Sequence, residues 1–245
     1  FYPIEKFSSR WTDVLVTITY EDYKLAQEKM YAKEVVYVPG VGINTKAFNP
    51  AADYAEVRAA KRKELGIGDG DILMLSVGEL NRNKNHEVVL HAMASLGDKR
   101  LKYVIAGRGV LKEHLEQLAT ELGINEQLQL LGFRTDVREL FKAADVFAHP
   151  SYREGLSVAV MEAMASGLPV LCSRIRGNTD LIDEGEGGFL FSPAKSDEVT
   201  IALSKIMVAK DLKARGAYNI EKAKSLDVGA VMEIMRELYN PVNVL

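Results

Sequence analysis

The sequence predicts an α/β fold, a doubly wound parallel sheet followed by C-terminal helices. From Asp71 onward, short apolar runs of strand length alternate with stretches of helical character. The runs are continuously apolar, which is typical of parallel strands covered on both faces, because each right-handed crossover places a helix over the sheet. After Ser196 the pattern is helical only. Ligands of such sheets bind at the carboxyl ends of the strands.

A strand, a helix and a second strand are predicted before this alternation. Residues 14–18 form a β-branched apolar run, and Thr19 then supplies the N-cap of a helix that ends near Tyr31. Residues 35–38 form the second strand. Pro39-Gly40-Val41-Gly42 follows it, and its glycines suit backbone angles that other residues resist, so we expect a sharp turn.

The remaining elements follow in order. Residues 44–53 show neither period and are predicted to be a loop, and residues 54–65 form a charged helix stopped by Gly66. Three amphipathic helices after Ser196 end near Tyr239. The predicted strands of the main sheet are 72–77, 103–106, 128–131, 146–148, 169–172 and 189–191.

Composition narrows the class of protein. The 245 residues are 47% hydrophobic, enough for one large core or two modest ones. The formal net charge of −3, with Lys and Arg spread along the chain, argues against nucleic acid as a partner. The single cysteine, Cys172, lies in an apolar run and is predicted to be a buried structural thiol, as in a reducing cytoplasm. No apolar window is long enough to span a membrane, so a soluble protein is expected. Because the chain begins with Phe1, we expect a fragment or a trimmed chain.

Glu162 is the most informative residue. Between residues 156 and 165 only Ser157 and Glu162 are not apolar, so we predict a helix that is buried on all sides. An unpaired carboxylate there would be costly, so something must satisfy it. Two readings stay open: a structural ion pair or backbone bond, and a carboxylate that accepts hydrogen bonds from ligand hydroxyls such as a ribose diol.

Glu154 and Gly155 precede this helix, at the carboxyl end of a strand. The helix start presents unpaired N–H groups and a positive dipole end, so an anion belongs there. Gly155 would let a phosphate or sugar approach the backbone, and Glu154 is placed to accept hydrogen bonds from sugar hydroxyls. A Glu-Gly pair is also a common turn.

Two further loops follow predicted strands. In the loop 78–86, Arg82 and Lys84 are placed to neutralise a diphosphate, Arg82 by a planar fork and Lys84 as a point charge; a solvated polar loop is the alternative. The loop 106–109 is similar to a phosphate-binding turn but is incomplete as a dinucleotide fingerprint.

The other candidate side chains are three histidines and two arginines. His86 and His91 are five residues apart and lie on different helix faces, so no metal site is predicted. For His149 a hydrogen bond in the core is favoured over a ligand contact. Arg174 is expected at the surface, and Arg176 either faces a ligand or solvates the surface.

Together these motifs resemble the retaining glycosyltransferases called group 1 or family 4, whose GT-B fold pairs two Rossmann-like domains. Glu154 and Glu162 match the two acids of the family's E-x7-E motif. The supporting matches, in the same order along the chain, are 38–43 leading to Phe48, 76–80 with Lys84, 104–107, 131–134 with Asp136 and Val137, and 144–147.

The resemblance implies a role for each site residue. Lys84 and Arg82 would hold the donor diphosphate and stabilise its departure. Glu162 would bind the ribose and Glu154 the transferred sugar. The further donor contacts implied are Phe133 and Arg134 at the nucleobase, Gly78 in the diphosphate loop, and Gly155, Leu156 and Ser157 at the helix start. The implied substrate is a nucleotide-sugar, with UDP favoured, and no metal or other cofactor is expected.

The resemblance also implies an organisation. Residues 1–43 would be a remnant of the N-terminal acceptor domain with the linker, 44–225 the donor-binding domain, and 226–245 a helix that returns to the first domain. A glycan or lipid-linked acceptor would bind the missing domain, so this chain alone would bind nucleotide but transfer poorly. The full-length enzyme would be cytoplasmic, as a peripheral protein at the inner face of the membrane, in polysaccharide or cell-surface glycan synthesis. The alternatives are a nucleotide-binding Rossmann module without transferase activity and a catalytically silent structural domain.

Overall fold

The first two strands form a small parallel sheet of their own. The computed structural model describes residues 2–49 and 54–239. The elements at its start are α1 (Tyr2–Ser8), β1 (Val14–Thr17), α2 (Tyr20–Lys29) and β2 (Glu34–Tyr37), and β1 pairs with β2 in parallel. Thr19 caps α2 as predicted, because its hydroxyl oxygen accepts a hydrogen bond from the Asp22 N–H at 3.2 Å. Helix α1 was not predicted.

The chain then turns and enters the main unit. Gly40 and Gly42 have φ of +81° and +77°, which confirms the predicted turn. The predicted loop 44–53 is wrong in part, because Thr45–Phe48 is a helical turn, α3, capped by the Asn44 side chain, which accepts a hydrogen bond from the Ala47 N–H at 3.1 Å. Residues 50–53 of that prediction lie outside the described residues. Helix α4 (Tyr54–Glu64) follows as expected.

A six-stranded parallel sheet forms the centre of the main unit. Its strands are β3 (Ile72–Val77), β4 (Leu101–Ala106), β5 (Leu128–Gly132), β6 (Val146–His149), β7 (Val170–Ser173) and β8 (Gly188–Phe191). The order is β5-β4-β3-β6-β7-β8, and every neighbouring pair is parallel. The predicted parallel sheet is confirmed, with strand ends shifted by one or two residues. The order reverses between β3 and β6, which is where doubly wound sheets bind ligands.

Helices cover both faces of this sheet. They are α5 (His86–Leu96), α6 (Lys112–Glu121), α7 (Val137–Ala143), α8 (Val158–Ala165), α9 (Asn178–Leu181), α10 (Ser196–Val208), α11 (Leu212–Ala223) and α12 (Val228–Tyr239). One core lies under α7 and α8, and the other lies under α5, α6 and α10. Alternate residues of each strand point to opposite cores, as Leu73 and Met74 do. Cys172 is fully buried, as predicted, and burial raises the pKa of its thiol.

Helix α8 departs from the expectation of burial on all sides. It begins at Val158, because Ser157 is its N-cap, and the Val158 side chain is 43% exposed. Glu162, one turn further, is half-buried. One side of the helix therefore faces an open edge of the molecule, and that side carries the carboxylate.

The last helix returns to the segment that joins the two sheets. The Val228 N–H donates to the Ile43 carbonyl at 2.8 Å, and the Thr45 hydroxyl donates to Asp227 at 2.5 Å. The three predicted C-terminal helices are thus confirmed as α10, α11 and α12. The domain boundaries at residues 43 and 225 stay predictions. Within residues 2–49 and 54–239, no helix combines the length and apolar character needed to cross a bilayer.

Candidate donor site

Two loops at the carboxyl edge of the sheet are tied together by hydrogen bonds. They follow β3 and β6, which are neighbours in the sheet. The Tyr152 N–H donates to the Asn83 carbonyl at 2.8 Å, and the Asn83 amide donates to the Arg153 carbonyl at 2.9 Å. Buried Asn85, with φ of +52°, donates to the Pro150 carbonyl at 3.2 Å. These bonds bring together residues that are about 70 positions apart in sequence.

Lys84 and Glu154 form an ion pair where these loops meet. The Lys84 Nζ lies 2.6 Å from the Glu154 Oε1, and the His149 Nε2 lies 3.3 Å from the same oxygen. Burial opposes ionisation of Glu154, but hydrogen bonds from His149, Lys84 and Ser151 outweigh it and lower the pKa of this carboxyl to about 2. The carboxylate is therefore charged at neutral pH.

His149, at the end of β6, also belongs to this centre. It is buried, as predicted, and burial lowers the pKa of its imidazole, so the neutral ring donates a hydrogen bond. Its Nε2 lies 3.3 Å from the Glu154 carboxylate and 3.4 Å from the hydroxyl of buried Ser151, so the predicted hydrogen bond within the protein is present. The position of His149 at the end of a strand, five residues before Glu154, is the only sequence signal for this contact.

Glu162 is a half-buried carboxylate without a hydrogen-bond partner among the described residues. Burial raises the pKa of Glu162, and the nearby charge of Arg138 acts in the opposite direction. No described cation lies within ion-pairing distance of it, so the structural ion pair considered above is not formed. Arg138, one helix away on α7, was not singled out from the sequence.

A cavity of about 610 Å³ opens beyond the ends of β3, β4 and β5. Phe133 forms one wall and is 66% exposed, and the Arg108 guanidinium lies 5.4 Å from the centre of its ring. Gly78 lines the same cavity. A side chain at Gly78 would also reach to 3.3 Å from the Lys84 Cε, so the glycine leaves room for Lys84. An exposed aromatic ring at this edge is typical of a ligand-binding wall.

The loop after β5 is held by an ion cluster below this cavity. Arg134 donates to Asp136 at 2.7 Å and to Glu64 at 2.7 Å, and the Lys61 Nζ lies 2.6 Å from Asp136. The hydrogen bond from Arg134 is the main reason that the pKa of Asp136 is lowered. The Arg134 side chain is therefore committed to the protein, and only its backbone is available to a ligand.

The start of α8 lies between two other loops. The Ser157 hydroxyl accepts a hydrogen bond from the Val160 N–H at 3.4 Å, which leaves earlier N–H groups of the turn for a ligand. Leu156 packs against Gly40, where an added side-chain carbon would come to 2.5 Å from the Leu156 Cδ2. Gly155 is exposed. These residues lie directly after Glu154, as the motif requires.

The Arg82 side chain does not lie at the Lys84–Glu154 ion pair. Its side chain is exposed and lines a separate cavity of about 440 Å³ with His114 and Tyr152. His86 is buried, its Nδ1 lies 2.8 Å from the Tyr103 hydroxyl, and burial lowers the pKa of His86 to about 4. Across residues 2–49 and 54–239, no three His, Cys, Asp or Glu side chains are grouped to hold a metal ion.

This architecture is that of a Rossmann-like half of a GT-B glycosyltransferase. HepE of Anabaena, solved in complex with UDP, matches with a TM-score of 0.86 at 20% identity, over 98% of this chain and 66% of HepE. Sucrose-phosphate synthase of Thermosynechococcus elongatus matches with a TM-score of 0.84 at 22% identity, over 99% of this chain and 61% of the synthase. The family profile "Glycosyl transferases group 1" matches residues 57–223, and the chain belongs to that family.

Curated relatives agree with this assignment. EpsD of Bacillus subtilis, which bears a provisional glycosyltransferase name, is 31% identical over 244 residues, 98% of this chain and 64% of EpsD. The UDP-Gal:α-D-GlcNAc-diphosphoundecaprenol α-1,3-galactosyltransferase of Escherichia coli is 30% identical over 83% of this chain and 53% of its own length. The chain thus spans about half to two thirds of these relatives.

Proposed function

We propose that this chain is the donor-binding part of a retaining family 4 glycosyltransferase that takes its sugar from a UDP-sugar. The observation that carries the proposal is the Glu162 carboxylate, half-buried and without a protein partner among the described residues. Burial of an unpaired carboxylate costs free energy, and hydrogen bonds from the two hydroxyls of a ribose would recover it.

The rest of the nucleotide-sugar fits the same edge of the sheet. The nucleobase would enter the cavity beside Phe133 and meet the backbone of Arg134. The diphosphate would lie between Gly78, Lys84 and the start of α8, where backbone N–H groups and the helix dipole favour an anion. The sugar would then reach Glu154. The contacts at the helix start would come from Gly155, Leu156 and Ser157.

Lys84 would change partners when the donor binds. Without a ligand its ammonium is paired with Glu154 at 2.6 Å. A diphosphate brings more negative charge, so Lys84 would turn to it and stabilise the charge that grows on the leaving oxygen as the bond to the anomeric carbon breaks. Glu154, which keeps its hydrogen bonds from His149 and Ser151, would then accept hydrogen bonds from sugar hydroxyls. Arg82 would join the diphosphate only if its side chain swings away from the separate cavity.

UDP is proposed because of what related proteins bind. HepE was solved with UDP, with UDP and glucose, and with UDP-glucose. The Escherichia coli relative is named for transfer from UDP-Gal to a lipid-linked acceptor. A domain beyond the donor half would hold a glycan or lipid-linked acceptor. The whole enzyme would then act in polysaccharide or cell-surface glycan synthesis, at the cytoplasmic face of a membrane. This chain would then bind the donor without efficient transfer on its own.

Calorimetric titration with UDP and GDP tests the proposal. The chain should bind UDP more tightly than GDP, and Glu162→Ala should weaken the UDP complex by roughly tenfold or more, as expected for loss of a hydrogen-bonded charge. Arg174→Ala is the matched control, because Arg174 pairs with Glu184 at the surface, as predicted. If the chain binds neither UDP nor GDP, a structural domain is favoured. If Glu162→Ala binds UDP as tightly as the wild type does, the ribose contact is refuted.

A further inference from the structure

The loop after β7 contacts the first turn of α2 through an ion pair and a hydrogen bond. The Arg176 Nη1 lies 2.8 Å from the Asp22 Oδ1, and the Asp180 carboxylate accepts a hydrogen bond from the Tyr20 N–H at 2.8 Å. Tyr20 is the first residue of α2, so Asp180 places a negative charge at the positive end of that helix while Arg176 holds its acidic first turn. The loop thus joins the main unit to the small sheet.

The same loop touches the donor loop directly. Gly177 lies between Arg176 and Asp180 and has φ of +82°. A side-chain carbon on Gly177 would come to 1.7 Å from the Gly155 carbonyl oxygen and 3.3 Å from the Leu156 nitrogen. The two backbones are therefore in contact, one residue after Glu154. No side chain separates them that could absorb a relative displacement.

The loop is stiff enough to transmit a displacement. The buried Asn178 side chain donates a hydrogen bond to the Ser173 carbonyl at 3.0 Å, which ties the loop to the end of β7. The short helix α9 follows at once. A shift of α2 would therefore move residues 176–180 as a unit against Gly155, and packed backbone has few ways to yield.

We propose that Arg176 and Asp180 are positioning residues that couple the placement of α2 to the geometry of residues 154–157. The proposal rests on the proposed function for the ligand that those residues hold. With α2 engaged, the Gly155 and Leu156 backbone is held where the diphosphate and sugar bind. By linkage, a bound nucleotide-sugar favours the engaged position of α2 to the same extent.

The strength of these contacts suits a coupling element. The Arg176 and Asp22 side chains are 46% and 33% exposed, and such ion pairs contribute little to overall stability. They can therefore break and re-form while both units stay folded. Arg174, two residues earlier, forms its own surface pair with Glu184, and no hydrogen bond or ion pair joins it to the described residues of α2. It provides a control of similar exposure on the same loop.

A charge-reversal cycle tests the coupling. Arg176→Glu and Asp22→Arg should each weaken UDP binding by roughly three- to fivefold, the range of one exposed ion pair, and the double variant should restore it. Hydrogen exchange of the amides at 155–158 should rise in each single variant and return in the double variant. In the wild-type chain UDP should slow exchange of the Tyr20 amide, and in Arg176→Glu it should not. Arg174→Glu should change none of these readouts.

The outcomes separate this proposal from the proposed function. If the wild-type chain binds no UDP, the proposed function fails, and exchange at 155–158 in the ligand-free chains still decides the coupling. If UDP binds but the single variants match the wild type in UDP affinity and in exchange at 155–158, the coupling is refuted. Weakening that the double variant does not reverse would also refute it, because the cause would then not be the Arg176–Asp22 pair.

Discussion

The Lys84 Nζ lies 2.6 Å from the Glu154 Oε1, although the two residues stand on loops that follow different strands. The cation expected to hold a diphosphate is thus neutralised by the carboxylate expected to face the sugar. His149 and Ser151 also donate hydrogen bonds to Glu154. In the proposed donor complex, Lys84 and Glu154 would separate, and each would contact a different group of the ligand.

Removing the charge of Glu154 should therefore not weaken nucleotide binding. We expect Glu154→Gln to bind UDP at least as tightly as the wild type, because Lys84 is released from its partner. Lys84→Met should bind UDP roughly tenfold or more weakly than the wild type, because a charge-assisted hydrogen bond to the diphosphate is lost. Calorimetry on both variants measures this. A loss in Glu154→Gln as large as that in Lys84→Met would contradict the division of roles.

The pH dependence of UDP binding should report Glu162. Burial raises the pKa of Glu162, and ribose hydroxyls donate to its charged form. UDP affinity should therefore fall as pH drops through this raised pKa. Glu162→Gln cannot titrate and should show a flatter profile over the same pH range. Identical profiles for the two chains would mean that another group controls binding.

The same carboxylate should lower the stability of the ligand-free chain. Because its pKa is raised in the folded state, the folded chain holds the Glu162 proton more tightly than the unfolded chain does. That contribution to stability is fully present below the unfolded pKa and is lost as pH rises through the folded pKa. At pH 7, Glu162→Gln should therefore raise the free energy of unfolding by on the order of 1 kcal/mol. Urea titrations at pH 7 and at pH 4 measure this, and the gain should shrink at pH 4.

The Phe133 ring and the Arg108 guanidinium should act on the nucleobase alone. If the base stacks on the Phe133 ring, Phe133→Ala should weaken UDP binding roughly tenfold. Arg108→Ala should weaken UDP binding by a smaller factor. Inorganic pyrophosphate, which has no base, serves as the control ligand in the same titrations. If the two variants weaken pyrophosphate and UDP equally, the cavity is not a base site.

Gly177 should not tolerate a side chain. Its positive φ disfavours other residues, and the new carbon would overlap the Gly155 carbonyl at 1.7 Å. Gly185 has φ of +89°, and nothing lies within 4 Å of a carbon added there, so substitution at Gly185 has the backbone cost without the overlap. Gly185→Ala should lose about 1 kcal/mol and Gly177→Ala clearly more. Denaturant midpoints of the two variants give the comparison, and equal losses would show that the loops can move apart.

The sequence predicted the main sheet because its strands are continuously apolar and its helices amphipathic. It missed α1, whose residues show little apolar periodicity and are largely exposed. It missed the helical turn Thr45–Phe48, because four residues are too few to display a period. Those elements are fixed by side-chain caps and by neighbouring segments, which local patterns do not show.

The candidate site was predictable in its motif residues and not in their contacts. Glu154 and Lys84 lie in loops that follow strands, and Glu162 lies on α8, in a recognisable pattern. The ion pair of Lys84 with Glu154 depends on the adjacency of β3 and β6, which no local spacing encodes. For the same reason Arg138 near Glu162, and Arg176 against Asp22, emerge only from the tertiary structure.

A cycle of protein and ligand changes tests most directly whether Glu162 receives hydrogen bonds from the ribose diol. Calorimetry compares UDP with 2′,3′-dideoxy-UDP on the wild-type chain and on Glu162→Gln. We predict that removing the hydroxyls weakens binding to the wild type by roughly tenfold or more and changes binding to Glu162→Gln far less. Equal losses on both chains would show that the ribose binds elsewhere and would contradict the account.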